Sequence, residues 1–307
     1  MEQQELEHIL LCPVCQGSSW SPFLTPIDHT VSHRSFTLTL CANCGFCATN
    51  PRPNSKHIGP FYDSPQYISH TNARTGLLDR LYQAVRRRAI RGKYKLIARY
   101  KTQAHVLDIG CGTGEFLSYL KSRGYSTTGV EPGRGAREQA ITNHGLDVLP
   151  SLDLVPAKAQ FQVITLWHVL EHVHDVRDTL QKIHTRLAPG GLLLIAVPDR
   201  ESWDAQYYAA NWAAYDVPRH LSHFRRSDLG RLLKESGFSL RGIRGMWLDA
   251  PYVALLSEKH LGAGLVRSLL KAFIVGAISN MAAATSQRPT SSTLYLAEKD
   301  RAQEGSF

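Results

Sequence analysis

From residue 105 onward, strand-like and helix-like patterns alternate, and that alternation leaves few folds open. HVLDIG (105–110) reads as a strand, and GEFLSYLKSRG (114–124) as a helix closed by glycine. YSTTGVE (125–131) is the next strand, RGAREQAITNHG (134–145) the next helix, and LDVLP a short third strand. FQVITLW (161–167) and GLLLIAVP (191–198) follow, with the helical HDVRDTLQKIHTRL between them. GLLLIAVP is apolar throughout, as expected of a strand buried on both faces. A further helix at 227–236 ends at Gly237 before FSLRGIRGM, and STLYLAE (292–298) is the last strand. Such a chain is α/β, with a parallel sheet covered by helices on both sides.

The first strand runs into Asp108-Ile-Gly110-Cys-Gly112-Thr-Gly114-Glu115. Its glycines let the backbone turn tightly and approach a ligand, and the helix that follows offers free N–H groups. The spacing is G-x-G-x-G rather than the G-x-G-x-x-G of dinucleotide sites, and an acid before the loop is also unlike a nicotinamide site. The second strand ends in Glu131, placed to accept hydrogen bonds from both hydroxyls of a ribose.

Six cysteines in 307 residues are too few for a disulfide scaffold. Four of them form two pairs, Cys12-Pro-Val-Cys15 and Cys41-Ala-Asn-Cys44. A two-residue spacer lets both thiolates of a turn face one ion, and two such knuckles complete a tetrahedral four-thiolate site for structural Zn²⁺. A redox couple would not explain the repeated spacing. The pattern divides the chain into a zinc-ribbon-like module (1–50), a linker with a basic helix (51–101) and a catalytic domain (102–300) carrying a helical insertion at about 252–288. The N-terminal MEQQELEHIL has no signal-peptide pattern. The longest uninterrupted apolar runs, such as AFIVGAI (272–278), fall far short of the roughly 18 residues that cross a bilayer. The expectation is a cytoplasmic protein, with peripheral contact at the inner face of the membrane as a further reading.

Taken together, LDIGCGTGEF (107–116), GVEP (129–132), FQVITLWHVLEHVHD (161–175) and LAPGGLLLIAVPD (187–199) resemble the class I S-adenosylmethionine-dependent methyltransferases. VLEHV is similar to the small-molecule type, including quinone-biosynthesis O-methyltransferases. The paired cysteines resemble an N-terminal zinc module of bacterial sugar and natural-product methyltransferases. The resemblance implies a Rossmann-like seven-stranded sheet whose last strand is antiparallel, and S-adenosylmethionine as cofactor. It implies that Gly110, Gly112 and Gly114 lie against the cofactor's amino-acid half and that Asp108 supports that loop. Glu131 would hold the ribose, Ser151 and Leu152 would flank the adenine, and Trp167 and His168 would face the methionyl group and substrate. Quinone-type relatives have an acid where this chain has His168, which argues against borrowing a metal-assisted mechanism from them.

Methyl transfer needs alignment above all, and for a hydroxyl acceptor a base. His168 and His172 cluster with Glu171 and His174 after the fourth strand, at the sheet edge where α/β proteins bind ligands. A second cluster, Asp216-Val-Pro-Arg219-His220-Leu-Ser-His223, follows the aromatics Trp203, Tyr207, Tyr208, Trp212 and Tyr215. His168, His220, His172 and His223 are therefore the candidate bases or substrate contacts. The plainer alternatives are a helix-capping role for His172 and a surface loop for 216–223.

Lys plus Arg number 35 against 26 Asp plus Glu, a net charge of +9. Residues 74–101 hold ten basic residues and one acid, Asp79, so this segment carries the whole excess. It is either a solvated helix face or a contact for anionic lipid, a phosphorylated substrate or RNA. Within 255–284, the face running from Val266 through Phe273 and Ile274 to Met281 is apolar. A packed lid or homodimer surface is the first reading, and a lipid-meeting interfacial helix the second. The sequence thus points to a methyltransferase for a small-molecule acceptor: a sugar, lipid-linked or natural-product intermediate, with a hydroxyl ahead of carbon or nitrogen. An RNA methyltransferase is the alternative, disfavoured because the fourth strand lacks an Asn/Asp-Pro-Pro-aromatic signature. A non-catalytic cofactor-binding regulator is a third class.

Overall fold

The computed structural model describes residues 5–63 and 77–300, with backbone alone for 77–84. Part of the linker (64–70), Arg74 and the expected helix start at Thr75 lie outside the described residues. The N-terminal region contributes β1 (Leu6–Glu7), β2 (Trp20–Leu24), β3 (Leu38–Cys41), β4 (Cys47–Thr49) and β5 (Arg52–Pro53). Helix α1 (Leu77–Ala98) leads to β6 (His105–Ile109), α2 (Glu115–Lys121), β7 (Ser126–Val130), α3 (Arg134–His144) and β8 (Asp147–Leu149). Then come β9 (Phe161–Trp167), α4 (Val176–Arg186), β10 (Leu187–Pro198), α5 (Trp203–Tyr208), β11 (Ser222–His223) and α6 (Arg226–Glu235). The chain closes with β12 (Phe238–Gly245), α7 (Asp249–His260), α8 (Leu265–Thr285) and β13 (Ser292–Lys299).

Seven strands form one sheet in the order β12-β13-β10-β9-β6-β7-β8. All pairings from β10 to β8 are parallel, and β13 runs antiparallel to both its neighbours. This is the Rossmann-like methyltransferase sheet with its reversed last strand. The order reverses between β6 and β9, so a ligand crevice opens at their carboxyl ends. Leu192 through Val197 on β10 are wholly buried, as a strand covered on both faces requires.

The cysteine-bearing segment is not a free-standing unit. Its four-stranded antiparallel sheet, β11-β4-β3-β2, takes its edge strand from residues 222–223, far along the chain. Cys12, Val14, Cys41 and Phe46 share one buried cluster with Leu107, Ile164, Leu193 and Phe224 of the large domain. Spacing within residues 1–50 gives no sign of this, because the partner strand is two residues long and its pairing is set by packing.

Two readings of the C-terminal region change. Residues 255–284 are not one helix: α7 and α8 are separated at Gly262, whose φ of +73 breaks the helical path. Helix α8 is also, by length and composition, apolar enough to cross a membrane. Arg267 and Lys271 interrupt its apolar run, so the unbroken stretches within it are short.

Candidate active site

The loop leaving β6 is held by its backbone. Gly110 and Cys111 both donate to the Val130 carbonyl, at 2.7 and 3.0 Å. Gly110 has φ +73, and a Cβ there would collide with the Val169 side chain, so the close approach of this loop to the end of β9 needs glycine. Glu131, just past β7, accepts from Gly112 N at 2.9 Å and Gly133 N at 2.8 Å, which aims its carboxylate across the loop. Burial raises its pKa against those two bonds. Asp108 lies below the loop, 3% exposed, and accepts a 2.5 Å bond from Thr165 Oγ1. Burial pushes it up to about 7, opposed by that bond and by Lys93. Ser151 and Leu152 follow β8 directly, Leu152 opening a short turn of 3-10 helix.

Trp167 ends β9, and its buried Nε1 has no hydrogen-bond partner. Phe116 meets it edge-on, with centroids 5.9 Å apart. Lys93 of α1 reaches in, placing Nζ 4.2 Å from the Trp167 ring centre and 5.6 Å from that of Phe116. Burial pulls Lys93 down to about 8, while the Asp108 and Asp249 charges resist. In sequence Lys93 is only one cation of a basic helix. Its place in that helix's apolar rhythm, between Ile90 and Leu96, was the available signal. Arg86 of the same helix pairs with Glu115 at 2.6 Å, so the basic helix turns part of its charge inward.

His168 follows with φ +57, a strained conformation for a residue with a side chain. Its Nδ1 lies 3.5 Å from Glu171 Oε1, and its Nε2 lies 3.3 Å from Asp249 Oδ2 at the start of α7. Burial opposes a charge on His168, but the two carboxylates outweigh it and push the pKa up to about 10. At neutral pH this histidine is a cation, suited to donate hydrogen bonds and unsuited to take a proton. Asp249 stands some 80 residues away in sequence, with no local pattern that ties it to His168.

His172 and His220 meet edge-on, with centroids 4.5 Å apart. Burial and the nearby His220 push His172 down to about 4, so it is neutral. Its Nδ1 lies 3.1 Å from both Tyr62 Oη and the Arg219 carbonyl. His220 is fixed more tightly: its Nδ1 lies 2.8 Å from the Ala214 carbonyl, which can only accept. Nδ1 therefore carries a proton, and Nε2 lies 3.9 Å from Asp216 Oδ2. The loop is anchored to the end of β9 by Leu221 N, which donates to the Glu171 carbonyl at 2.8 Å. His223 is placed elsewhere. It lies in β11, buried, 3.0 Å from Thr49 Oγ1 and edge-on to Tyr215, so it serves the joint between β11 and β4. His174 faces the Pro53 carbonyl at 3.1 Å, apart from the His172–His220 pair.

Two donor groups could hold a metal among the described residues. Glu171, His172 and His220 present one ligand atom each within 4.8 Å of one another. In the other, the Sγ atoms of Cys12, Cys15, Cys41 and Cys44 converge within the same limit. Cys12–Cys44 and Cys15–Cys41 sulfurs stand 3.6 and 3.4 Å apart, too far for disulfides. A tetrahedral Zn²⁺ with bonds near 2.3 Å separates its sulfurs by about 3.8 Å, so the cage fits that ion closely.

The family described as "Methyltransferase domain" matches residues 82–242, just over half of the chain. The chain belongs to this methyltransferase family. It is an S-adenosylmethionine-dependent enzyme, and the matched segment holds the glycine loop, Glu131, the end of β9 and the loop bearing His220. The cysteine cage lies outside it. This methyltransferase is 31% identical over 157 residues to a ubiquinone biosynthesis O-methyltransferase of Pseudomonas aeruginosa, covering 46% of this chain and 67% of that protein. It is 25% identical over 183 residues to one of Aeromonas salmonicida, covering 55% and 75%. Two solved S-adenosylmethionine-dependent methyltransferases are also similar. One, from Mesorhizobium loti, has 16% identity and a TM-score of 0.45, covering 65% of this chain and 93% of its own. The other, from Archaeoglobus fulgidus, has 19% and 0.46, covering 70% and 94%.

Proposed function

We propose that this methyltransferase moves the methyl group of S-adenosylmethionine to a hydroxyl of a small-molecule acceptor, with His220 as base. The observation that carries this reading is the orientation of His220, whose Nδ1 is committed to the Ala214 carbonyl so that Nε2 is the nitrogen left to exchange a proton with an acceptor. Asp216, whose pKa is lowered against burial chiefly by Arg219, stays ionised near Nε2 and stabilises the imidazolium formed when the acceptor loses its proton. Gly110, Gly112 and Gly114 cradle the amino-acid half of the cofactor, with Asp108 beneath them. Lys93 meets the cofactor's carboxylate, Glu131 the ribose, and Ser151 and Leu152 the adenine. The cofactor supplies an electrophilic methyl on a sulfonium, and Trp167, at the end of β9, borders that half of the cleft. Protonated His168 orients the acceptor oxygen.

Relatives named as ubiquinone biosynthesis O-methyltransferases support oxygen as the acceptor atom and a small molecule as its carrier. The cysteine cage holds a structural Zn²⁺, leaving no open position for catalysis. The test is single-turnover methyl transfer with His220→Ala and His220→Gln against a panel of phenolic and sugar hydroxyls. Turnover should fall about 100- to 10,000-fold, the usual contribution of a positioned base, with cofactor affinity unchanged. Turnover near that of the parent protein would remove His220 from the mechanism.

A further inference from the structure

Helix α8 packs in an inverted way. The face it turns inward is made of small residues: Ser268, Ala272, Gly276 and Ser279, with Val275. Ser279 Oγ donates to Asp204 Oδ1 at 2.7 Å, and a Cβ on Gly276 would strike Pro251 of α7 at 2.7 Å. Its large apolar residues point outward. Phe273 is 76% exposed and Val266 72%, and Leu269, Leu270, Ile274 and Met281 stand beside them. Trp247 and Leu248, just ahead of α7, are about half exposed. A cluster of large exposed apolar side chains of this kind marks a contact surface for a protein or a membrane.

The exposed charges along this segment have one sign. Across residues 247–288 the only acids are Asp249, paired with His168, and Glu258, buried and bonded to Tyr208 Oη. Lys259, Arg267 and Arg288 are exposed, and Lys271 lies beside Tyr207. A second copy packed through this same face would bring the same cations and, from residues 247–288, no carboxylate left free to meet them. An anionic lipid surface supplies both an apolar layer for the large side chains and phosphates for the cations. Helix α8 is packed lengthwise on α7 and contacts α5, so it would lie in the plane of the interface rather than cross the bilayer.

We propose that α7 and α8 form an interfacial anchor that docks the protein on a membrane bearing anionic headgroups, through the apolar face of α8 and its flanking cations. The anchor leads toward the catalytic cleft, because α7 begins at Asp249, the partner of His168. It stands on observations separate from the choice of base or acceptor.

Flotation of the full chain with phosphatidylcholine vesicles, and with vesicles containing phosphatidylglycerol, tests the proposal. The expected result is capture by the anionic vesicles, weaker in high salt. Leu270→Glu/Phe273→Glu should lose at least ten-fold in vesicle binding while keeping its melting temperature and cofactor affinity. Arg267→Glu/Lys271→Glu should lose the preference for anionic lipid. Failure of the parent protein to float, or equal binding by Leu270→Glu/Phe273→Glu, overturns it. So does a stable dimer without lipid that the same double variant makes monomeric, which would assign the face to a second copy.

Discussion

Replacing Arg219 with Met should unsettle the fold more than any other single change near the site. Arg219 is 1% exposed and joins three distant segments. Its Nη2 donates to Asp28 Oδ1 at 2.9 Å and to Asp216 Oδ1 at 2.6 Å, Nε reaches both Asp216 oxygens, and Nη1 donates to the Phe61 carbonyl at 2.9 Å. Met fills similar space but leaves two carboxylates without their shared cation. Asp28 keeps the N–H groups of Thr30, Val31 and Ser32 and the Ser32 hydroxyl. Asp216 loses the most. Removing one member of a buried ion pair costs about 3–5 kcal/mol, a large share of a typical stability of about 5–15 kcal/mol. With a urea slope near 3 kcal/mol/M, the unfolding midpoint should fall by about 1–1.7 M. Far-UV circular dichroism in urea reads this directly. The pH adds a sign. Burial disfavours the Asp28 charge, but Ser32 and Arg219 hold its pKa down to about 2, so its contribution is present above the ordinary aspartate range and is lost as pH falls through about 2. The deficit of Arg219→Met should therefore shrink between pH 7 and pH 3, and Asp28→Asn/Arg219→Met should recover part of it. A loss below about 1 kcal/mol at pH 7 would refute the reasoning, since two carboxylates deprived of their shared guanidinium should cost more than one ordinary hydrogen bond.

Lys93→Met should weaken cofactor binding about 10- to 150-fold, the value of one charged hydrogen bond at about 1.5–3 kcal/mol. In the parent protein calorimetry should show affinity falling as pH rises through about 8, where Lys93 loses its proton, and the variant should lack that slope. Gly110→Ala, with φ +73 and Val169 in the way, should cost about 1–3 kcal/mol and abolish cofactor binding in the same titration. One equivalent of zinc should appear by elemental analysis and fall on Cys41→Ser, and stripping it should lower the melting temperature of the whole protein, because the cage shares the main core. The His168 pKa is raised above its unfolded value, so its contribution is fully present below about 6.5 and is lost as pH rises through about 10. Asp249→Asn should accordingly cost more stability near pH 6 than near pH 10, and an equal cost at both would disprove the pairing.

What the chain alone determined is what is local. The G-x-G-x-G turn demands positive φ wherever it occurs, and Gly110, Gly112 and Gly114 have φ values of +73, +56 and +84. Glu131 sits beside that turn because a parallel pair of strands ends in register. The cysteine pairs meet because each knuckle is a single turn and β2 and β3 form a hairpin between them. The rest depended on segments far apart in sequence. Lys93 looked like one more solvated cation until α1 was laid over Phe116 and Trp167. His168 looks like a base until Asp249, at the start of α7, closes on its Nε2 and holds its proton. His220 and His223 looked alike, three residues apart, until one turned toward His172 and the other entered a strand against β4. Helix α8 showed an apolar face in sequence, but only packing decided which side was small enough to approach α7 and which was left outside. A proton's position and a face's burial are set by neighbours, and neighbours so far apart along the chain exist only once it has folded.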